Sequence, residues 1–307
     1  MNSIFLRRWL RIVVCAWTFP LPGAESVQHP FRGVTYIERV ETAPRNLRMH
    51  IVKIDLAAPG IHFQLTGPGG KLETVRQTTV EFLRQEHAQV AINAHYFLPW
   101  PSFEPEADLV GFAATNGTVY SGFEIPEQTY ALAPYVAAIN IDPANHATLV
   151  HRDSNFADGK HVVERVEIGN AVSGSAQIIT DGVKTIPEYK PEGVLTAGGP
   201  GTSRFSNDHS WYSLLNARSA IGITKDAGTL ILFTVDVRGG SAGMSVGEVA
   251  DVLIRDYSVY QALNLDGGGS TTLAMEDASG KAAMVNVSSD NADGRRVGSS
   301  LVVFAER

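Results

Sequence analysis

One short stretch, from Leu263 to Thr272, combines a carboxylate, consecutive glycines and several hydroxyl groups. Its candidate site residues are Asn264, Asp266, Gly267, Gly268, Ser270 and Thr271. The acid could act as a base or nucleophile, and the hydroxyl and amide groups could bind a polar ligand. Three consecutive glycines cannot continue a packed strand, and they allow a ligand to approach the backbone. We predict a sharp turn at Asp266 and a binding site around it.

The same turn has two possible interpretations other than a binding site. A strand-to-strand turn in which Asp266 accepts hydrogen bonds from its own backbone would give the same local sequence. A phosphate-binding loop of the lysine-containing type does not fit this sequence, because no Gly-Lys-Ser/Thr follows the glycines.

A second group of polar and aromatic residues follows the apolar run Val90 to Ile92. Asn93 could bind a sugar or phosphate, His95 could act as an acid or base, and Tyr96 could stack on a ring. Residues at the end of a buried strand often form binding sites. The alternative is that Asn93 holds a turn and His95 is a near-surface histidine whose hydrogen bonds are satisfied.

The chain from Asn216 to Val237 predicts a hairpin that carries further charged candidates. If Thr224 faces Thr229, then Arg218 lies opposite Val235, and Asp236 points to the other face. Arg218 is the candidate phosphate ligand, because a guanidinium group binds phosphate oxygens in a bidentate way. A surface salt bridge is the alternative role for this arginine.

Three more residues complete the candidate site. Asp236 could supply a partner acid for Asp266, and Arg238 follows it at the same end of the hairpin. Arg296 lies on a polar turn before the apolar run Val297 to Phe304, from which it could reach an anionic ligand.

Two loops rich in proline, glycine and aromatic residues are expected near the mouth of the site. The first runs from Pro99 to Pro105 and carries Trp100 and Phe103. The second runs from Gly201 to Leu215 and contains His209. Aromatic residues on such loops suit carbohydrate binding, although they often only anchor the loop.

Helices and strands must position all these groups. Ser245 to Glu248 is a capping box that predicts a helix from about Val246 to about Tyr257, and Thr74 to Gln77 predicts a second helix that ends near Glu86. Leu47 to Leu56 alternates as a strand, with Ile61 to Leu65 as a candidate hairpin partner, and Ala262 to Leu265 is a short buried strand. We predict an α+β fold, a single strand-rich domain with a mixed or antiparallel sheet flanked by a few helices.

Length, charge and cysteine content restrict the class of protein. In residues 1–24, Arg7, Arg8 and Arg11 precede a short apolar segment, which predicts a cleaved export signal and a secreted or periplasmic domain over residues 25–307. Removing these three arginines changes the net charge from −7 to −10. An acidic chain without basic clusters argues against nucleic-acid binding. Cys15, the single cysteine, lies within the signal, so the mature domain would have no disulfide. The apolar segment is too short to span a bilayer, so we expect no integral membrane segment in the mature chain.

Several of these segments, in this order, resemble the phosphodiester glycosidase family, which includes N-acetylglucosamine-1-phosphodiester α-N-acetylglucosaminidase. The Asn-Leu-Asp-Gly-Gly-Gly-Ser-Thr run from Asn264 to Thr271 is the most specific match. The weaker matches are 92–97, 111–117, 174–182, 216–222, 235–238 and 296–297. The sequence departs from the family pattern at two places, with Ala94-His95 in place of Gly-Gly and Val237 in place of glycine. We expect these departures to affect the shape of substrate that the site accepts.

This resemblance implies a hydrolase that cleaves a sugar-1-phosphodiester. No cofactor is expected and no metal ligands are assigned, while metal dependence stays open. On this reading the catalytic residues are Asp266, Asp236 and Arg218, and the substrate-binding residues are Asn93, His95, Arg238, Asn264, Gly267, Gly268, Ser270, Thr271 and Arg296. A carboxylate suits an oxocarbenium-like transition state, and arginine stabilises a phosphate leaving group.

Two alternatives belong to other functional classes. One is a noncatalytic protein that binds exopolysaccharide or cell-wall glycan. The other is a metal-dependent phosphodiesterase with Asp266, Asp236 and either His95 or His209 as ligands, although no tight ligand spacing supports it.

Overall fold

The computed structural model describes residues 23–123, 137–186 and 212–307, which contain 21 strands and two α-helices. The strands are β1 (Ala24–Phe31), β2 (Val34–Glu41), β3 (Leu47–Asp55), β4 (His62–Leu65), β5 (Thr74–Val75), β6 (Val90–Asn93), β7 (Tyr96–Leu98), β8 (Glu106–Val110), β9 (Ala113–Thr115), β10 (Thr118–Ser121), β11 (Ala137–Ile141), β12 (Ala147–His151), β13 (Asn170–Ser173), β14 (Ala176–Thr180), β15 (Val183–Lys184), β16 (Arg218–Thr224), β17 (Thr229–Val235), β18 (Val259–Asn264), β19 (Leu273–Glu276), β20 (Ala282–Met284) and β21 (Ser300–Phe304). The helices are α1 (Thr79–Glu86) and α2 (Val246–Tyr257).

Antiparallel sheets dominate the architecture. The long sheet has the order β1-β2-β3-β17-β16-β18-β14-β15, and the central sheet has the order β20-β19-β6-β21-β4. A third sheet, β10-β9-β13-β11-β12, and a small sheet, β5-β8-β7, complete the described part of the chain. Because the strand order differs from the chain order, residues far apart in sequence meet at the sheet ends.

The main core lies between the inner face of the long sheet and the central sheet. It contains Val52, Ile221 and Leu263 from the former and Ile92 and Leu301 from the latter, all fully buried. The outer face of the long sheet packs on α2, whereas α1 covers the other face of the central sheet. Each sheet face is therefore buried by a different partner, which fixes the orientation of every strand.

The prediction for α2 is confirmed, and the prediction for α1 is wrong at its beginning. Ser245 and Glu248 form the predicted capping box of α2. In α1 the capping box is formed by Thr78 and Glu81, while Thr74 belongs to β5. Both positions have a threonine followed by an acceptor three residues later, but the Glu81 carboxylate is the one that bonds the cap backbone, at 2.8 Å.

The hairpin register is confirmed. In the β16–β17 pair Arg218 lies opposite Val235, which packs on the outer face with α2. Asp236 follows and points to the inner face. The proposed β3–β4 hairpin is wrong, because β3 pairs with β2 and β17 while β4 pairs with β21. A turn signal between two strands does not establish that they pair.

The predicted fold class is confirmed for its strand-rich, antiparallel sheets, but the α+β label overstates the helices. The fold is mainly β, because the sequence has few helix signals beside many alternating segments. Within the described ranges, no helix is long and apolar enough to cross a membrane. Most of the predicted export signal and of the second loop, including His209, lies outside the described residues.

Candidate functional site

The three glycines after Asp266 form a tight turn against neighbouring chain segments. Residues Gly268–Ser270 make one 3₁₀ turn, and Gly268 has φ 58°, a left-handed value that favours glycine. A Cβ atom on Gly269 would lie 2.2 Å from Nη2 of Arg295. The glycines therefore also let an arginine of the protein itself reach this turn, in addition to the predicted approach of a ligand.

Asp266 is a buried carboxyl group, with 9% of the residue exposed. Burial raises its pKa to about 6, although hydrogen bonds from the Ser270 hydroxyl and the Gly267 amide and the charge of Arg295 lower it in part. The Gly267 N–H donates to Oδ1 at 2.9 Å. A carboxyl group with such a pKa can be ionised or protonated near neutral pH, which suits acid–base or nucleophilic chemistry.

Asn93, at the end of β6, holds the Asp266 backbone in place. Its Nδ2 donates to the Asp266 carbonyl oxygen at 2.7 Å. Its Oδ1 accepts hydrogen bonds from the Ser219 hydroxyl at 2.7 Å and the Thr272 amide at 3.0 Å. The residue is fully buried, so in this conformation its side chain orients Asp266 and joins the two main sheets.

Arg218 and Tyr96 lie on the same side of the site as Asp266. The charges of Asp266 and Arg218 both act on Tyr96, whose pKa is raised far above its ordinary value by burial and by the Asp266 charge. Arg218 is 3% exposed and donates from Nε to the Met244 carbonyl oxygen at 3.0 Å. Burial lowers its pKa, while Tyr96 and Tyr212 act in the opposite direction. The structure thus brings Asp266, Arg218 and the Asn93 support into one region.

Arg295 is the arginine of the C-terminal turn that lies nearest to Asp266 in this network. Its Nη1 donates to the Ser270 hydroxyl at 3.3 Å, its Nε donates to Asp290 at 2.7 Å, and its guanidinium carbon lies 4.1 Å from the centroid of the Trp100 ring. The predicted arginine, Arg296, instead forms two 3.1 Å hydrogen bonds with the Glu81 carboxylate at the start of α1.

The sequence contained a signal that distinguishes these two arginines. Neighbouring residues of an extended chain point to opposite sides, and Val297 is 2% exposed. Arg295 therefore shares the inward side with Val297, whereas Arg296 points outward. This alternation, applied back from the apolar run, would have selected Arg295.

Two of the predicted polar residues have buried acceptor atoms that no other described residue engages. Asn264 donates from Nδ2 to the Ser175 hydroxyl at 2.9 Å, but its Oδ1 has no partner among the described residues. The same holds for Oγ1 of Thr271. Unpaired buried polar atoms are costly, so each of these two atoms is a candidate for a further hydrogen-bond partner.

Asp236 lies in a separate polar network and does not contact Asp266. It is fully buried and accepts hydrogen bonds from Nε2 of His50 at 3.2 Å, from the Val287 amide at 3.0 Å and from Nδ2 of Asn286 at 3.4 Å. The same Asn286 amide donates to the Thr271 carbonyl oxygen at 3.1 Å. Among the described residues, Asn286 and the backbone of Thr271 connect Asp236 to the Asp266 turn.

His95 and Arg238 are also placed apart from Asp266. His95 is fully buried, and burial lowers its pKa to about 4, so the ring is neutral at pH 7. Its Nδ1 lies 2.9 Å from the Ser299 hydroxyl, and its Nε2 lies 3.0 Å from the Ser173 amide. Arg238 is exposed on the turn after β17.

No metal cluster marks this site in the described ranges. No three His, Cys, Asp or Glu residues there lie close enough to hold a metal ion. A surface hollow of about 660 Å³ is lined by residues such as His29, Lys53 and Arg307, and no predicted site residue lines it. The candidate site is therefore defined by side chains that converge on Asp266.

Comparison with known proteins points to one family. The family model of the phosphodiester glycosidases matches residues 86–304, more than half of the chain. N-acetylglucosamine-1-phosphodiester α-N-acetylglucosaminidase from mouse (Mus musculus) is 40% identical over 63 residues, which cover 20% of this chain and 12% of the mouse enzyme.

Three solved structures share the fold. The catalytic domain of the zebrafish N-acetylglucosamine-1-phosphodiester α-N-acetylglucosaminidase, auto-inhibited by its pro-peptide, superposes with a TM-score of 0.58 at 19% identity, over 92% of this chain and 88% of that domain. A protein from Burkholderia pseudomallei K96243, described as exported, gives 0.61 at 15% identity, over 97% and 100%. A hypothetical protein from Synechocystis gives 0.55 at 19% identity, over 89% of this chain and 62% of that protein.

Proposed function

The chain belongs to the phosphodiester glycosidase family, as its motifs predicted, and from that premise we propose that it hydrolyses a sugar-1-phosphodiester. Water adds to the anomeric carbon, the bond between that carbon and the phosphate oxygen breaks, and a free sugar and a phosphomonoester leave. The proposed sugar is N-acetylglucosamine or a close relative, because the mouse and zebrafish proteins are named for that substrate.

The observation that carries this proposal is the environment of Asp266. A buried carboxyl group with a pKa of about 6 lies in one network with a hydroxyl group and a guanidinium group, formed by Ser270 and Arg295. An oxocarbenium-like transition state requires a carboxylate near the anomeric carbon, and a phosphate leaving group requires positive charge. Both requirements meet at this turn.

We assign roles to the residues according to what each one can reach. Asp266 acts as base or nucleophile at the anomeric carbon. Arg295 binds the phosphate, and Arg218, whose charge also acts on Tyr96, adds positive charge to the site. The residues that position the sugar are Asn264, Gly267, Gly268, Ser270 and Thr271.

The remaining predicted residues receive supporting roles. Asn93 positions Asp266 through its 2.7 Å hydrogen bond to the Asp266 carbonyl oxygen. Asp236 acts as a positioning residue for the Thr271 segment, because its acceptor atoms are occupied by His50, Asn286 and Val287. Arg238 remains an exposed candidate for the outer part of a substrate. Arg296 and His95 support the scaffold.

We also propose that the domain acts outside the cytoplasm, in the periplasm or the medium. Three arginines followed by the apolar segment Ile12 to Phe19 support a cleaved export signal. N-terminal sequencing of the protein from the medium or periplasm should give a chain that begins near Glu25. A chain that retains Met1 and stays in the cytoplasm would contradict this part of the proposal.

Turnover of N-acetylglucosamine-1-phosphodiesters by the purified protein, with and without chelator, tests the proposed reaction. We expect release of free N-acetylglucosamine and a phosphomonoester at the same rate in both conditions. Turnover abolished by chelator would instead support the metal-dependent phosphodiesterase. Binding of the diester without turnover would support a noncatalytic glycan-binding protein.

A further inference from the structure

Trp100 is an exposed aromatic residue beside the candidate site, and neither the family nor the proposed reaction assigns it a role. Half of its surface, 50%, is exposed. The guanidinium carbon of Arg295 lies 4.1 Å from its ring centroid, and the edge of its ring meets Phe97 with the centroids 6.1 Å apart. The residue is therefore held by two contacts while much of the ring stays available.

Buried Arg76 anchors the backbone of the loop that carries Trp100. This arginine is 3% exposed, and it donates from Nη2 to the Pro99 carbonyl oxygen at 2.7 Å and from Nη1 to the Ser102 carbonyl oxygen at 3.1 Å. Its guanidinium carbon also lies 4.8 Å from the centroid of the Phe97 ring. These bonds fix the backbone on both sides of Trp100, so the indole is presented in one place.

The contacts define an order of groups that begins at the carboxylate and ends at the indole. Asp266 is hydrogen-bonded to Ser270, Ser270 accepts from Arg295, and Arg295 stacks on Trp100. A sugar-1-phosphodiester has a matching order of sugar, phosphate and second ester group. With the sugar at Asp266 and the phosphate at Arg295, the second group meets Trp100.

From this order we infer that Trp100 is a specificity-determining residue that stacks on a sugar ring in the second ester group of the phosphodiester. This inference rests on the proposed function. A sugar ring offers an apolar C–H face, which fits a rigid, half-exposed indole. The indole should therefore matter most when the second ester group is a sugar and least when it is a small alcohol.

Two substrates test the inference when they differ only in the second ester group. One is the N-acetylglucosamine-1-phosphate diester of methanol, and the other is the diester of a methyl hexoside. We expect Trp100→Ala to lower kcat/KM for the hexoside diester by about 3- to 10-fold more than for the methanol diester. Trp100→Phe, which keeps a ring, should restore most of this difference.

Phe103→Ala is the matched control. Phe103 lies on the same loop and is fully exposed, and the substitution should leave the ratio of the two kcat/KM values unchanged. An equal loss on both substrates for Trp100→Ala would overturn the inference, because Trp100 would then only orient Arg295. A ratio that changes equally in Phe103→Ala would also overturn it.

Calorimetry with Asp266→Asn separates this inference from the proposed reaction. If the wild-type protein cleaves neither diester, the proposed function fails, and binding alone decides the role of Trp100. In the Asp266→Asn protein, we expect the additional change Trp100→Ala to weaken binding of the hexoside diester about 3- to 10-fold more than binding of the methanol diester. Equal weakening of both would overturn the role of Trp100 whether or not the protein is an enzyme.

Discussion

Asp266 and Asp236 are two buried carboxyl groups that follow two strands of the same sheet, β18 and β17, which β16 separates, and their surroundings differ. β17 and β18 are both antiparallel to β16, so their C-terminal ends lie at the same edge of the long sheet. Asp236 is fully buried on the inner face and accepts hydrogen bonds from three residues. Asp266 is 9% exposed and lies beside Ser270 and Tyr96, within reach of the charge of Arg295.

The difference shows that burial alone does not identify a reactive acid. The carboxylate of Asp236 is surrounded by donors that stabilise it, and these donors also hold the Thr271 segment. Asp266 has a raised pKa because its burial outweighs its hydrogen bonds. A buried carboxyl group with a raised pKa beside a cation is typical of a functional site, whereas a carboxyl group whose oxygens are occupied by hydrogen-bond donors is typical of a scaffold.

The largest expected contrast between the two acids is in turnover. Asp266→Asn should lower kcat for an N-acetylglucosamine-1-phosphodiester by about a thousandfold or more, because the amide cannot act as base or nucleophile. Asp236→Asn should keep kcat within about tenfold in protein that remains folded, since it acts through the Thr271 backbone. Steady-state kinetics at one temperature, with circular dichroism of each variant, measures both. Full activity in Asp266→Asn would remove this residue from the chemistry.

Arg295 and Arg296, the two arginines of the C-terminal turn, allow a second comparison between a proposed site residue and an exposed neighbour. Arg295→Gln should lower kcat/KM by about a hundredfold, because it removes the cation beside the phosphate. Arg296→Gln should stay within about twofold, because an exposed pair with Glu81 contributes little. If the two variants lose activity equally, the phosphate position assigned to Arg295 is wrong.

Stability should change in opposite directions for the two acids. Asp236→Asn leaves His50 and the Val287 amide facing a poorer acceptor, and we expect a loss of about 3 kcal/mol in the free energy of unfolding. The pKa of Asp266 is raised from 3.8 to about 6 on folding. The stability it contributes is complete below pH 3.8 and is lost as the pH rises through 6.

Asp266→Asn, which mimics the protonated acid, should therefore stabilise the protein by about 3 kcal/mol at pH 7.5 and by less than about 1 kcal/mol at pH 4. Urea denaturation of the wild type and both variants at the two pH values measures these changes. A destabilised Asp266→Asn at pH 7.5 would show that its charge is stabilised in the folded protein.

The smallest expected difference is between the pH midpoints of the wild type and Asp236→Asn. If the ionised form of Asp266 reacts, kcat/KM should rise about tenfold per pH unit up to about pH 6 and then level off. Asp236→Asn should keep this midpoint, because Asp236 does not contact the reacting group. A profile that falls with rising pH through 6 would assign Asp266 as the acid.

Local sequence patterns were sufficient for several features that depend on one element or one hairpin. The Ser245 capping box predicted α2, and the facing of Thr224 and Thr229 predicted the register of Arg218. The acid before three glycines marked the turn at Asp266. These features depend on hydrogen bonds and side-chain alternation within a few residues, so the sequence alone contains them.

The tertiary structure decided which of these groups meet. Asn93 bonds Asp266 across 173 positions of sequence, and Arg295 stacks on Trp100 from a different loop. The side chains of His95 and Asp236 are fully buried because segments from other parts of the chain surround them with hydrogen-bond partners. Alternation along a strand fixes the face to which a side chain points, but the order of strands in the sheets and their packing determine what lies opposite that face.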